Sequence, residues 1–268
     1  MGGAGKTQVI EHIAKTLMGF GVNVSVLCHA YRGYSKSLKV PIRLPKSLTF
    51  GELQFGDEAL MLSQSLPDRC ALWVGGQWRE RWRAALEDKP DLILADGGFF
   101  CHELPRDLGI YLIPSPRKNT LFPFGDLSRP SSAWPSGHGY QRWTFLRGFT
   151  AQPLEEVDSD VRDRVVQIKP LMWINSQGEE RSLSMVQGRS VGVFTAIARP
   201  QDFIDIATDL GAVIIKQFML RDHSPCPLSL IHELHSQPHI LWLTTKKDLV
   251  KIPQPYSKKV WALSTTLV

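Results

Sequence analysis

The first residues after Met1, Gly2-Gly3-Ala4-Gly5-Lys6-Thr7, have the types and order of a phosphate-binding loop. Glycines let backbone N–H groups close around phosphate oxygens, a lysine reaches the outer phosphates, and a threonine hydroxyl holds Mg²⁺. Such a loop hangs between a buried strand and a helix whose N-terminus carries the anion. Further along, the apolar strand expected at 91–94 ends at Ala95-Asp96. A carboxylate at the carboxyl end of a strand can meet the Mg²⁺ held near the loop. The same residue type also caps helices, and it is the loop that favours the metal role here. Asp57 and Glu58 follow Gly56 at what reads as a turn into a helix, where capping is the simpler use. His223 follows Asp222 beside Ser224, Pro225 and Pro227, a setting open to catalysis, although a lone Asp-His is nonspecific. Residues 244–248, Thr-Thr-Lys-Lys-Asp, form a polar loop after a strand, where open α/β sheets bind ligands.

These groups need a framework to hold them. Val9, Ile10, Ile13, Ala14 and Leu17 recur at helical spacing, and Gly19 and Gly21 close that helix. Residues 22–27 then read as a buried parallel strand. Loop, helix and strand follow the βαβ order. The first glycine of the full loop pattern would fall one place before Met1, so the strand leading into the loop is expected ahead of this sequence. Helices are predicted at 58–66, 77–87, 200–210 and 228–235. Strands are predicted at 70–74, 91–94, 109–113, 190–195, 212–215, 239–243 and 259–263. The stretch 114–135 is rich in Pro and Ser and reads as a long loop, and 158–175 as a polar connector with strand character. The alternation predicts an α/β fold: a P-loop NTPase-like, mostly parallel sheet with a second, smaller α/β domain. The expected boundaries are a nucleotide-binding domain at 1–150, a connector at 151–185 and a C-terminal domain at 186–268.

Composition narrows the class. A hydrophobic content of 43% with 21% charged residues is that of a soluble globular protein. Four cysteines without a C-x-x-C pair argue against a zinc site or a disulfide framework and for a reducing compartment. No apolar run reaches the roughly 18 residues that span a bilayer. The net charge of +5 fits either a generally basic surface or an anionic partner such as a nucleotide or acidic lipid headgroup. No nucleic-acid-binding motif is present, so no nucleic-acid partner is expected.

Taken in order, these segments resemble the lipid A 4′-kinase (tetraacyldisaccharide 4′-kinase) family from Met1 to the end of the chain. Gly2-Gly3-Ala4-Gly5-Lys6-Thr7 resembles the family's GGTGKT, Cys28-His29-Ala30-Tyr31-Arg32-Gly33 its SRGYGG, and Gly56-Asp57-Glu58-Ala59 its GDEP. Ala95-Asp96-Gly97-Gly98-Phe99, followed by Arg106-Asp107, resembles DDGFQH and LxRD. Leu121-Phe122-Pro123-Phe124-Gly125 through Pro130 resembles LLPAGPLREP, and Ala196-Ile197-Ala198-Arg199-Pro200 with Phe203 resembles AGIGNPxxFF. Asp222-His223 resembles DHH, and residues 244–251 resemble TEKDAVK.

The resemblance implies phosphoryl transfer from ATP, with Mg²⁺, to the 4′-hydroxyl of an acylated glucosamine disaccharide 1-phosphate in lipid A biosynthesis. It implies a protein in peripheral contact with the cytoplasmic face of the inner membrane of a Gram-negative bacterium. The family also has a membrane-associated segment upstream of the loop, expected ahead of this sequence. The resemblance carries over Gly2, Gly3, Ala4, Gly5, Lys6 and Thr7 as the nucleotide site and Thr7 and Asp96 as the metal site. It carries over Asp57 and His223 as the pair that activates the sugar hydroxyl. Trp73, Trp78, Trp82, Trp134, Trp143 and Trp173 add apolar bulk that could serve a lipid-facing cleft, with core packing the commoner use. The sequence departs from the pattern at His29 and Ala30, at Gly97 (second carboxylate of the DD pair), at Phe100 and Cys101, at Arg129 (a charge reversal), and at Lys246 (for the acid of TEKD). The alternative is therefore a degenerate paralogue that binds nucleotide or lipid without turnover. A partitioning ATPase with a KGGxGKT loop ranks last, because Met1 stands where its signature lysine would be.

Overall fold

The computed structural model describes residues 5–30, 39–45, 55–98, 101, 104–115, 140–146 and 164–268. Helix α1 (Lys6–Gly19) opens directly after Gly5, whose φ of 69° lies in the left-handed region. Strand β1 (Val24–Leu27) is wholly buried and runs parallel to β3 (Ala71–Val74) on one side and β4 (Leu92–Ala95) on the other, with β2 (Ile42–Arg43) antiparallel at the β3 edge. Successive strand residues point to opposite faces. Val24, Val26, Leu72, Val74 and Leu94 accordingly face the core built by Ala14 and Met18 of α1 and by Ala59, Leu60 and Leu62 of α2 (Asp57–Ser65). Leu27, Trp73, Ile93 and Ala95 face the other way, onto Trp78, Trp82 and Ala85 of α3 (Trp78–Glu87).

The larger sheet collects β5 (Gly109–Ser115), β6 (Tyr140–Leu146), β7 (Arg164–Ile174), β9 (Ser190–Thr195), β10 (Val213–Met219), β11 (Leu241–Thr245) and β12 (Val260–Leu267), with β8 (Glu180–Arg181) paired to β7. The order is β10-β9-β11-β12-β7-β6-β5. All neighbours on this path are parallel except β12 and β7. The sheet thus takes strands from both sides of residue 150, and the stretch read as a polar connector supplies the 11-residue β7. Its two faces separate by the same alternation. Val191, Val193, Leu243 and Leu263 pack with Trp173 under Phe203 and Ala207 of α4 (Pro200–Asp209). Phe194, Trp242 and Ala262 pack under Leu230 and Leu234 of α5 (Leu228–Ser236).

Several predicted boundaries shift, two of them for plain local reasons. The strand expected at 212–215 continues to Met219, because β10 pairs on one side only and tolerates Lys216 and Gln217. The polar loop at 244–248 winds into α6 (Lys246–Leu249), whose N-cap Thr245 accepts a hydrogen bond from the backbone of Asp248. Of the predicted loop at 114–135, residues 114 and 115 end β5 instead, and the rest lies outside the described residues. Helix α6 packs on α2, Val250 reaches into the smaller sheet's core, and Gln8 of α1 donates to Thr265 of β12 at 3.5 Å. No helix among the described residues is long and apolar enough to cross a membrane.

Gly192, in the middle of β9, lies against the ring of Trp242 on neighbouring β11. A Cβ there would stand 2.6 Å from the indole, which is itself buried. We expect Gly192→Ala to destabilise the protein by about 1–3 kcal/mol through overpacking. A urea titration checks this, and an unchanged midpoint would refute the contact.

Candidate active site

Lys6 and Thr7 begin α1, with Gly5 as its N-cap. Gly2, Gly3 and Ala4 lie outside the described residues. Thr7 Oγ1 donates to Asp96 Oδ2 at 2.9 Å, joining the start of α1 to the end of β4. Asp96 is only 5% exposed. Burial, reinforced by the nearby charge of Glu58, pushes its carboxyl up to about 6, against the pull of Lys6 and the Thr7 hydrogen bond. Thr7 and Asp96 are an oxygen donor set suited to Mg²⁺, which takes one or two carboxylates together with phosphate oxygens. A carboxylate desolvated to this degree is one that a divalent cation relieves. Among the described residues, no three His, Cys, Asp or Glu side chains converge to hold a metal without a phosphate. Gly97, beside Asp96, has φ 86°, and its Cβ would lie 3.8 Å from His29. There is room for a Cβ there, but the backbone of any residue with a side chain would be strained.

Asp57 opens α2 and is buried. His223 Nδ1 lies 2.8 Å from its Oδ1 and 2.9 Å from its Oδ2, bringing together residues 166 apart in sequence. His223 has φ 62°, an uncommon conformation for a residue with a side chain, and its backbone N–H donates to Ala196 O at the end of β9. Burial alone would raise the Asp57 carboxyl. The His223 hydrogen bond and the Lys247 and Lys251 ammoniums outweigh it and hold the group down at about 2. An ionised Asp57 only accepts hydrogen bonds, so Nδ1 of a neutral His223 carries the ring proton and Nε2 the lone pair. Nε2 lies 3.3 Å from Lys247 Nζ. Lys247 also lies within 3.1 Å of Asp222, 3.5 Å of Glu58 and 3.8 Å of Asp57. Glu58 thus stands between the two sites, interacting with Asp96 on one side and Lys247 on the other.

A cavity of about 400 Å³ opens beyond the carboxyl ends of β1 and β3, lined by His29, Gly76, Gln77, Trp78, Arg81 and Cys101 among others. Arg81 is 2% exposed, stacks over the Trp78 ring at 4.0 Å and donates to Cys28 O at 2.6 Å. Its Nε has no hydrogen-bond partner and no carboxylate pairs with it among the described residues.

Several participants carry no local pattern that marks them in the sequence: Arg81, Glu11, and, within the recognisable motif at 244–251, the individual lysines Lys247 and Lys251. The departure at Lys246 has a partner: its ammonium lies 3.3 Å from Glu11 of α1, which burial would raise but Lys246 and Lys15 hold low. Of the tryptophans that could serve a lipid-facing cleft, Trp173 is core, Trp73, Trp78 and Trp82 pack around α3, and Trp134 lies outside the described residues, as does the side chain of Trp143.

Comparison with known proteins decides the family. The model of the tetraacyldisaccharide-1-P 4'-kinase family matches residues 1–268. The chain belongs to that family. Among its similar relatives, the tetraacyldisaccharide 4'-kinase of Bdellovibrio bacteriovorus is 25% identical over 100% of this chain and 81% of the relative. That of Pelobacter propionicus is 27% identical over 94% and 71%, respectively. A crystal structure of LpxK from Aquifex aeolicus in complex with ATP superposes with a TM-score of 0.72 at 23% identity, covering all of this chain and 81% of that one, and so shares its fold. The tetraacyldisaccharide-1-P 4'-kinases are phosphotransferases, and a mixed α/β fold with parallel sheets is the one this chain adopts.

The raised Asp96 carboxyl has a stability consequence. The folded state binds its proton more tightly than the unfolded state, so the ionised group burdens the fold increasingly from about pH 4, and fully above about pH 6. Asp96→Asn should therefore raise the stability of the ligand-free protein at pH 7.5, by on the order of 2–3 kcal/mol, with the gain vanishing near pH 4. Thermal denaturation at the two pH values checks this. A variant no more stable than wild type at pH 7.5 would contradict the buried, uncompensated carboxylate.

Proposed function

We propose that this chain transfers the γ-phosphoryl group of ATP to the 4′-hydroxyl of a tetraacylated glucosamine disaccharide 1-phosphate. His223 acts as the base and Asp57 as its orienting partner. The observation that carries this reading is the Asp57–His223 contact, with the Thr7–Asp96 bond on neighbouring elements. Gly2, Gly3, Ala4, Gly5, Lys6 and Thr7 hold the nucleotide phosphates. Thr7 and Asp96 hold Mg²⁺, which neutralises phosphate charge when bound. His223 Nε2 takes the proton of the 4′-hydroxyl as its oxygen bonds to the γ-phosphorus, and the bond to the β–γ bridging oxygen breaks to release ADP. Asp57 stabilises the resulting imidazolium and keeps Nδ1 as its donor. Lys6, a fixed cation at the outer phosphates, opposes the charge that spreads over the transferred group.

The cavity beside Arg81 suits the acceptor's charged head. A buried guanidinium without a carboxylate is costly until an anion arrives, and the acceptor's own phosphate supplies one. The protein works as a peripheral protein at the cytoplasmic face of the inner membrane of a Gram-negative bacterium. The acylated acceptor requires that location, and the net charge of +5 suits an anionic lipid surface.

The test is phosphate transfer from ATP and Mg²⁺ to the acylated disaccharide 1-phosphate presented in mixed vesicles. Transfer is expected, and Lys6→Ala should abolish it while weakening ATP binding. His223→Ala should lower kcat about 10²–10⁴-fold with ATP affinity unchanged. A wild-type chain that binds ATP but transfers nothing at any Mg²⁺ concentration would install the degenerate reading. Arg81→Met should raise KM for the acceptor and leave KM for ATP in place. Equal effects on both substrates would remove the anion role.

A further inference from the structure

The geometry points to Lys251, anchored by Asp248, as the positioning residue that fixes the Asp57 carboxylate against His223. The inference rests on the proposed Asp57–His223 base. The Lys251 side chain is fully buried, and so is that of Asp248. An ammonium has three N–H donors, and Lys251 directs them to Asp248 Oδ1 at 2.7 Å, Asp57 Oδ2 at 3.1 Å and Ala196 O at 3.4 Å. Asp248 is fixed in turn. Its Oδ2 accepts from the Ala196 N–H at 3.0 Å and from Thr245 Oγ1 at 2.9 Å. Ala196 O also accepts the backbone N–H of His223 at 3.0 Å. One residue at the end of β9 therefore sets both the histidine's backbone and the lysine that grips its carboxylate.

The arrangement loads the two oxygens of Asp57 unequally. Nδ1 of the imidazole lies against both, 2.8 Å from Oδ1 and 2.9 Å from Oδ2, while Oδ2 alone also meets the Lys251 cation at 3.1 Å. Remove the ammonium, and two buried carboxylates, Asp57 and Asp248, lose the cation that lies between them. Asp57 is then free to turn toward Lys247, which already lies 3.8 Å away. The imidazole loses its fixed acceptor, and Nε2 loses its aim at the acceptor hydroxyl. Misplacement on this scale costs catalysis rather than binding, because the nucleotide contacts lie at the start of α1.

Three variants test the inference: Lys251→Met, Asp57→Asn and the two combined. Lys251→Met should lower kcat about 10- to 100-fold, with ATP affinity, measured by direct titration, unchanged. The charged groups around the base are Asp57 and Glu58 of α2, Asp222 beside it, and Lys247, Asp248 and Lys251 at α6. Losing one positive charge from this set makes the Asp57–His223 pair hold a proton more tightly. The acid limb of the kcat–pH profile should therefore move to higher pH, which a merely structural lysine would not cause. The combined variant should be no slower than Asp57→Asn alone, since both act through one carboxylate. A wild-type kcat and acid limb in Lys251→Met, or single effects that multiply in the combined variant, would overturn the inference and leave the base intact. Full activity in Asp57→Asn would instead remove the base, and the inference with it. Should Lys251→Met fail to fold, Asp248→Asn takes its place, because its amide oxygen still accepts from Ala196 and Thr245. A smaller fall in kcat is expected there, with the acid limb displaced to lower pH because a negative charge is lost, and an unchanged kcat and profile overturn the proposal.

Discussion

A buried carboxylate must find its counter-charge nearby, and in this protein Asp57 finds it on the other sheet. Desolvation opposes its ionisation, and His223, Lys247 and Lys251 together outweigh that opposition. None of those three belongs to the smaller sheet that Asp57's helix covers. They follow β10 and β11 of the larger one. The charge therefore does what packing alone does weakly between two separate cores: it specifies one relative placement of α2 and α6. Val250 and the Gln8–Thr265 contact add area around that point, but neither fixes an orientation as a hydrogen-bonded ion pair does.

The two aspartates at the site are pushed in opposite directions by their surroundings. Asp57, among cations, stays ionised far into acid, and its stabilising contribution fades only as pH falls below its ordinary value toward about 2. Asp96, with Glu58 nearby and only Lys6 and Thr7 to help it, is driven up to about 6. Identical side chains thus suit different tasks: a permanent acceptor for a histidine proton, and an ill-solvated anion ready for an incoming cation.

The elements legible in the sequence are those whose signals are local. The loop glycines with Lys6 and Thr7, the spacing of Val9, Ala14 and Leu17, and the apolar run ending at Asp96 each speak within a dozen residues. The Asp57–His223 contact lies 166 residues apart, and only the ordered resemblance to a family puts its two members together. Lys251 and Arg81 are beyond reach for the same reason. An ion pair, or the lack of one, has no period, and a lysine just past a short helix reads as solvent-exposed until the fold closes over it. The run at 244–248 looks like a loop because its polar residues mask a capping pattern, in which the Thr245 hydroxyl meets both the backbone and the carboxylate of Asp248. The connector at 158–175 looks polar because β7 is only partly buried, although Trp173 sits at the centre of a core.

The contact between Lys246 and Glu11 changes the meaning of a departure from the family pattern. Position 246 carries a base where the pattern has an acid, and in isolation this reads as decay of a functional loop. Its partner is on α1, the helix that begins at Lys6, so the two positions form one electrostatic unit split across 235 residues. An acid at 246 would set two carboxylates side by side unless position 11 also changed sign. Residues 11 and 246 are thus expected to tolerate replacement together more readily than singly.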